Sequence, residues 1–281
     1  SIVNTVAGVI GMIPEGLVLL TSISFILGVG RLAKKNALVQ EMEAIEALAR
    51  VDVLCLDKTG TITTGDLQVE KVEPIMRDGN VEEVLGVIAY AFEETNATTE
   101  ALRRRFTEVT GQKIIEKVPF SSSRKHMDIT IEGKGKYCLG APEYLSADPK
   151  ILSRAEKYAA EGMRVLLLSH DGRESYFIIL SDIIKPDAAE TFAFFREKNV
   201  QIKILSGDNP LTVSVVGMRA GLPEAAHYID ARKLPDEEEE LQKEIVRYTV
   251  FGRVTPEKKQ AIVKALEAAG NVTGMVGDGV N

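Results

Sequence analysis

The sequence predicts an α/β chain. A three-layer core built on a parallel sheet is interrupted by an inserted α+β domain and preceded by one transmembrane helix. Three observations carry this reading. Residues 2–30 hold a single charged side chain, Glu15, in a run that is otherwise apolar or small. The stretch Val51-Asp52-Val53-Leu54-Cys55-Leu56 reads as a buried, β-favouring strand that stops abruptly at Asp57. Residues 68–177 alternate short strands and helices in a pattern unlike the flanks, and the core resumes near Leu180.

Composition narrows the function classes. The chain has 281 residues and a net charge of −7, with a pI near 5.3, which argues against a nucleic-acid binder and its basic footprint. Its two cysteines, Cys55 and Cys138, lie far apart without metal-ligand spacing, as expected of buried fillers in a reducing compartment. Three histidines form no cluster, which argues against a zinc site. The chain starts at Ser1 and stops within Gly277-Asp278-Gly279-Val280-Asn281, so it is expected to be a fragment.

The first element exceeds the roughly 20 apolar residues that cross a bilayer. A signal peptide would be shorter and preceded by positive charge. Arg31, Lys34 and Lys35 follow at once, which sets the C-terminal end in the cytoplasm. Within the helix, Pro14 frees a backbone carbonyl and Gly16 loosens the turn beside the Glu15 carboxylate. Oxygen ligands of this kind suit a hard cation; the bland alternative is a protonated Glu15 in a helix interface. From Leu32 to Arg50 the spacing of Leu38, Met42, Ile45 and Leu48 predicts a stalk helix.

Asp57 then stands at the carboxyl end of a strand, where ligands of open α/β sheets sit. A carboxylate there can act as a nucleophile towards a phosphoryl group. In the insertion, helices are predicted over 81–90, 100–109 and 149–161, and strands over 128–131, 137–139 and 165–169. The core resumes with Asp182 to Asp187, and the strand 200–205 opens into Ser206-Gly207-Asp208-Asn209-Pro210. A hydroxyl, a glycine and free backbone N–H groups before a helix form a phosphate cradle. The acids Asp236 to Glu240 read as a solvated helix start. Thr255 or Pro256 begins an amphipathic helix, and the strand 271–276 leads to Asp278. A second carboxylate near Asp57 would help hold magnesium.

The run Asp57-Lys58-Thr59-Gly60-Thr61 resembles the phosphorylation motif of the P-type ATPases, ion pumps with a haloacid dehalogenase-like catalytic core. Phosphatases of that superfamily carry an aspartate two residues after the nucleophile as general acid/base. Thr59 stands there instead and cannot transfer protons efficiently near neutral pH, which suits a persistent phospho-aspartate. Ile13-Pro14-Glu15-Gly16-Leu17 resembles the ion-binding fourth membrane helix of calcium and sodium/potassium pumps, and the absence of cysteine there argues against copper or zinc.

Further matches follow the chain. Pro119-Phe120-Ser121-Ser122-Ser123-Arg124-Lys125 resembles the family's nucleotide stretch, which implies that Phe120 stacks on adenine and Lys125 meets the nucleotide. By the same resemblance Arg164 reaches the phosphates, and the loop Glu94 to Thr98 lies near the adenine. Leu139-Gly140-Ala141-Pro142-Glu143 resembles the family's Lys-Gly-Ala-Pro-Glu, with Leu139 in place of the lysine. Lys136 would point to the other face of its strand. Asp182 and Lys185 match the hinge motif, and Ser206-Gly207-Asp208 matches Thr-Gly-Asp. Lys259, beside Lys258, matches the lysine that contacts the aspartate and phosphoryl oxygens.

The resemblance implies an ATP-driven cation pump acting through an aspartyl-phosphate at Asp57, with calcium as the ion. Thr59, Lys259 and Asp278 complete the catalytic set, and Phe120, Lys125, Gly140, Arg164, Lys185, Ser206, Gly207 and Asp208 serve ATP. Asp57, Thr59 and Asp278 would hold Mg2+, and Glu15 the transported cation. The expected divisions are 1–30 membrane helix, 31–50 stalk, 51–67 and 181–281 phosphorylation domain, and 68–180 nucleotide-binding domain. The partners implied are the cation, membrane lipid and absent parts of the same polypeptide, an actuator domain and further membrane helices. The location implied is a bacterial cell membrane with cytoplasmic catalytic domains. Two alternatives stay open: a membrane-anchored haloacid dehalogenase-like phosphatase, and a silent ATP-binding regulatory module.

Overall fold

The computed structural model describes residues 15–42, 44–76, 79–93, 95–121 and 123–277, with only the backbone of Glu15. Pro14, Glu94, Ser122, Asp278 and the Glu15 carboxylate therefore lie outside the described residues.

Helix α1 spans Glu15–Ala33. Its segment Gly16–Ala33 has a mean hydropathy of 1.8 and no buried residue, and is long and apolar enough to cross a membrane. The hydroxyls of Thr21, Ser22 and Ser24 donate to carbonyls four residues earlier, at 2.8–2.9 Å. The polar groups of an apolar helix are thus satisfied internally, as hydrocarbon surroundings require.

The stalk helix expected over Leu32 to Arg50 is not continuous. Asn36 adopts a left-handed backbone (φ 59°). The Ala37 N–H donates to Leu32 O and the Asn36 N–H to Ala33 O, each at 3.0 Å. This pair of bonds is a Schellman closure, which satisfies the last carbonyls and stops the helix. Helix α2 (Ala44–Arg50) follows, with Ile45 packed against Gly28 of α1. Leu38, which the periodicity assigned to a helix face, is 91% exposed instead.

The core sheet contains β1 (Val53–Asp57), β8 (Gln201–Leu205), β9 (Tyr228–Asp230), β10 (Val250–Gly252) and β11 (Thr273–Val276) in the order β11-β1-β8-β10-β9. All its pairings are parallel. Val53 and Cys55 pack with Phe251 and Ile262 on one side. Leu54 and Leu56 pack with Phe192 and Val213 on the other. Both faces of β1 are covered, which explains why its sequence is apolar without alternation. Helices α7 (Ala188–Glu197) and α8 (Pro210–Arg219) cover one face, and α9 (Glu238–Ile245) and α10 (Pro256–Ala268) the other. The expected three layers are present, and α9 does start in Glu238, Glu239 and Glu240.

The second sheet is antiparallel, in the order β2-β7-β6-β5-β4-β3. It comprises β2 (Thr63–Pro74), β3 (Ile114–Val118), β4 (His126–Ile131), β5 (Gly135–Gly140), β6 (Arg164–His170) and β7 (Arg173–Ile184). Helices α3 (Val81–Tyr90) and α4 (Ala97–Arg105) pack Leu85 and Leu102 on one face against Ile129, Leu139 and Ile178. The short α5 (Pro142–Leu145) and α6 (Pro149–Ala160) serve the other, where Ile151 meets Leu167 and Phe177. Helix α4 starts and ends earlier than the expected 100–109. An Asn96/Thr99 capping box fixes its start, and Phe106 leaves the helical conformation at its end to reach the core.

Strands β2 and β7 pair from Thr63↔Ile184 to Pro74↔Tyr176. The Lys185 N–H donates to Ile62 O at 3.0 Å, so this ribbon begins beside the loop that follows Asp57.

Candidate active site

Asp57 is the last residue of β1 and is 8% exposed. Its pairing with Leu205 holds the strand end level with the start of the Ser206 loop. Gly60 (φ 74°) turns the chain back immediately, which returns Thr59 to the same cleft. That cleft, of about 320 Å³, is lined by Asp57, Thr59, Ser206, Gly207, Asp208 and Lys259, with Val254 and Pro256.

Lys259 reaches the nucleophile through the start of α10. Thr255 caps the helix by accepting from the Lys258 N–H, and Pro256 fills the first position. Successive helical residues point about 100° apart, from the 3.6-residue turn. The Lys259 Nζ consequently meets Asp57 Oδ2 at 2.5 Å. The Lys258 Nζ turns away to Pro235 O at 3.1 Å and Asp236 Oδ1 at 2.8 Å. Sequence alone left these two lysines unseparated.

The Ser206 loop differs from the expected cradle of free amides. The Ser206 N–H donates to Phe251 O at 3.0 Å, and the Asp208 N–H to Ser206 Oγ at 3.2 Å. What this residue offers the cleft is its buried hydroxyl, which accepts from Asp208 and retains a proton to donate. A Cβ on Gly252 would stand 2.3 Å from Pro210 Cα, so glycine is required where β10 passes the start of α8.

One central residue was not read from the sequence. Lys58 is 2% exposed, and its Nζ lies 3.1 Å from Asp182 Oδ2 and 2.5 Å from Asp208 Oδ2. It ties the end of β7 to the Ser206 loop directly behind the nucleophile. The signal available was a charged side chain next to a buried strand end, with acids in both later core motifs. Gly277 lies beside Asp57, since a Cβ on it would stand 4.0 Å from Asp57 Cβ. The segment leading to Asp278 therefore approaches the site.

Behind the strand ends, burial pushes the Cys55 thiol up to about 11. Burial likewise lowers Lys203 on β8 to about 8, while its Nζ donates to Ile245 O and Tyr248 O at 2.8 and 2.7 Å. Cys138 is also raised to about 11 by burial and by its hydrogen bond to Asp128. Neither cysteine is a nucleophile near neutral pH.

In the antiparallel domain, Phe120 stands 46% exposed between two clefts. One, of about 340 Å³, is lined by Asn96, Thr98, Phe120, Met127, Leu139, Gly140, Arg164 and Leu166. The other, of about 490 Å³, includes Phe92, Glu93, Lys117 and Pro119. A Cβ on Gly140 would come within 2.3 Å of His126 Cβ, so its place is set by close strand packing. Lys125 is exposed in a left-handed turn (φ 60°), outside the lining of either cleft. Lys136 pairs with Asp128 at 3.1 Å on the face opposite Leu139. Lys185 joins the site through its backbone.

The family profile of haloacid dehalogenase-like hydrolases matches residues 51–281. The calcium-transporting ATPase CtpE of Mycobacterium bovis is 40% identical over the whole of this chain, which covers 37% of that relative. The probable cation-transporting ATPase exp7 of Streptococcus pneumoniae is 39% identical, again over the whole chain and 38% of the relative. The chain thus spans less than two-fifths of the length of these relatives. Among solved structures, a zinc-transporting PIB-type ATPase in an E2.Pi state superposes with a TM-score of 0.71 at 22% identity, covering 92% of this chain and 38% of that one. At that identity the likeness concerns the fold.

Proposed function

The chain belongs to the haloacid dehalogenase-like hydrolase family, and from that premise we propose that it is the catalytic part of an ATP-driven cation pump working through an aspartyl-phosphate at Asp57. The observation that carries the proposal is the buried Asp57 carboxylate, held by Lys259 at 2.5 Å and facing the Ser206 hydroxyl. The Asp57 oxygen not engaged by Lys259 attacks the γ-phosphorus of ATP. An O–P bond forms as the bond to the ADP oxygen breaks, and ADP leaves. The Lys259 ammonium and the Ser206 hydroxyl offset charge on the transferring oxygens. Lys58 holds Asp208 and Asp182 in place. Thr59 supplies no general base, so water is not activated from that position and the acyl-phosphate persists.

Magnesium fits the donor chemistry. Among the described residues, no group of three or more His, Cys, Asp or Glu could hold a metal. A single buried carboxylate suits an ion bound partly through substrate phosphates. Asp57 and Thr59, with Asp278, are the residues that would hold it. When bound, it supplies charge neutralisation to the transferring phosphoryl group.

Calcium is the proposed cargo, supported by the CtpE relatives and by the hard oxygen of Glu15 in an apolar helix. The test uses the polypeptide that carries this chain, reconstituted in lipid vesicles with magnesium and ATP. The expected result is ATP-dependent calcium uptake that both Asp57→Asn and Glu15→Gln abolish. Uptake that survives Asp57→Asn, or is driven only by another cation, overturns the corresponding part.

A further inference from the structure

We propose that the nucleotide base is held by stacking and shape without edge recognition, so that this site accepts purine triphosphates with little regard to their 6-substituent, and that Leu139 is the residue responsible. The proposal rests on the ATP reading above and concerns the cleft that Phe120 shares with Arg164. Its floor is apolar: Leu139 is 1% exposed and Met127 5%, with Leu166 beside them. Strand register sets Leu139 opposite both Met127 and Leu168, which locks it into the sheet. No cation reaches the floor from the neighbouring strand position, since Lys136 is engaged by Asp128 on the opposite face.

The polar wall is equally uninformative about a base edge. Asn96 commits its side-chain oxygen to capping α4, accepting from the Thr98 and Thr99 N–H groups at 3.0 Å each. That leaves its amide as a donor, which both adenine and 6-oxopurines can satisfy through ring nitrogens. The Thr98 hydroxyl donates or accepts and adapts to either. The side chains lining this cleft include no carboxylate to require the 6-amino group of adenine. Strong discrimination between such analogues arises where a buried polar partner is left unpaired by the wrong one, whereas apolar pockets separate isosteres weakly. The exposed ring of Phe120 supplies stacking, which every purine offers equally.

The experiment is competition of ATP, ITP and GTP against a fluorescent ATP analogue, with magnesium, on the chain in detergent. ATP and ITP are expected to bind within about tenfold of each other, the range typical of apolar discrimination. Phe120→Ala should weaken both by a similar factor of about ten, the scale of lost base–aromatic stacking. Leu139→Gln, which adds an acceptor and a donor to the floor, should separate ATP from ITP further. Leu139→Met should leave their ratio unchanged. A wild-type preference for ATP larger than tenfold overturns the proposal while leaving the ATP reading intact. Failure of every nucleotide to bind overturns both. Because the wild-type ratio is decisive by itself, misfolding of a variant does not shield the proposal.

Discussion

Lys58 and Lys259 show what a single side chain contributes to this site. Lys259 was legible because its motif could be matched, but not its distinction from Lys258. That distinction depends on where α10 is capped, and Thr255 fixes it. Lys58 was not legible, because its partners Asp182 and Asp208 lie far along the chain and only the fold assembles them. Its burial makes the arrangement consequential: removing the ammonium leaves Asp182 beside the site without its counter-ion. Lys58→Met is expected to lower stability by about 2 kcal/mol, below the range for fully buried pairs because Asp208 is partly exposed. Urea unfolding followed by far-ultraviolet circular dichroism on the chain in detergent checks this. An unchanged midpoint would mean that the bridge contributes nothing.

At the scale of elements, strong periodicity was readable and left-handed closures were not. Helix α3 matches its expected bounds of 81–90 because apolar residues recur at helical spacing over a capped start. The stop at Asn36 interrupts an equally regular pattern, and nothing in residue type forced it. Strand β8 carries an element-scale surprise in Lys203, a lysine in a strand covered on both faces. Its folded-state value of about 8 lies below the ordinary 10.5. Between those values the unfolded chain binds more protons than the folded one, so stability rises with pH across that window. The slope cannot exceed about 1.4 kcal/mol per pH unit. Lys203→Met is expected to flatten the pH dependence of unfolding between pH 8 and 10 relative to the parent chain. An identical slope in both would contradict a depressed lysine.

For the whole molecule, the residues alone gave an α/β chain with an interruption, but not the order β11-β1-β8-β10-β9 or the antiparallel order of the inserted sheet. Those pairings join segments distant in sequence, which local pattern cannot specify. The resemblance supplied what periodicity could not: that strands 1, 8 and 11 end together, and that one motif on each meets a single cleft. The β2–β7 ribbon then links the two sheets next to Asp57, through the Lys185 amide and the Ile62 carbonyl. This linkage places events at the nucleophile and at the nucleotide cleft on one continuous pair of strands.

The most direct measurement is phosphorylation itself. The chain, and the longer polypeptide that carries it, are incubated with magnesium and γ-labelled ATP, quenched in acid and treated with hydroxylamine, with Asp57→Asn alongside. The expected result is label that survives acid, is released by hydroxylamine and is absent from Asp57→Asn. Label that persists in Asp57→Asn, or no label on either polypeptide, would contradict an aspartyl-phosphate at Asp57.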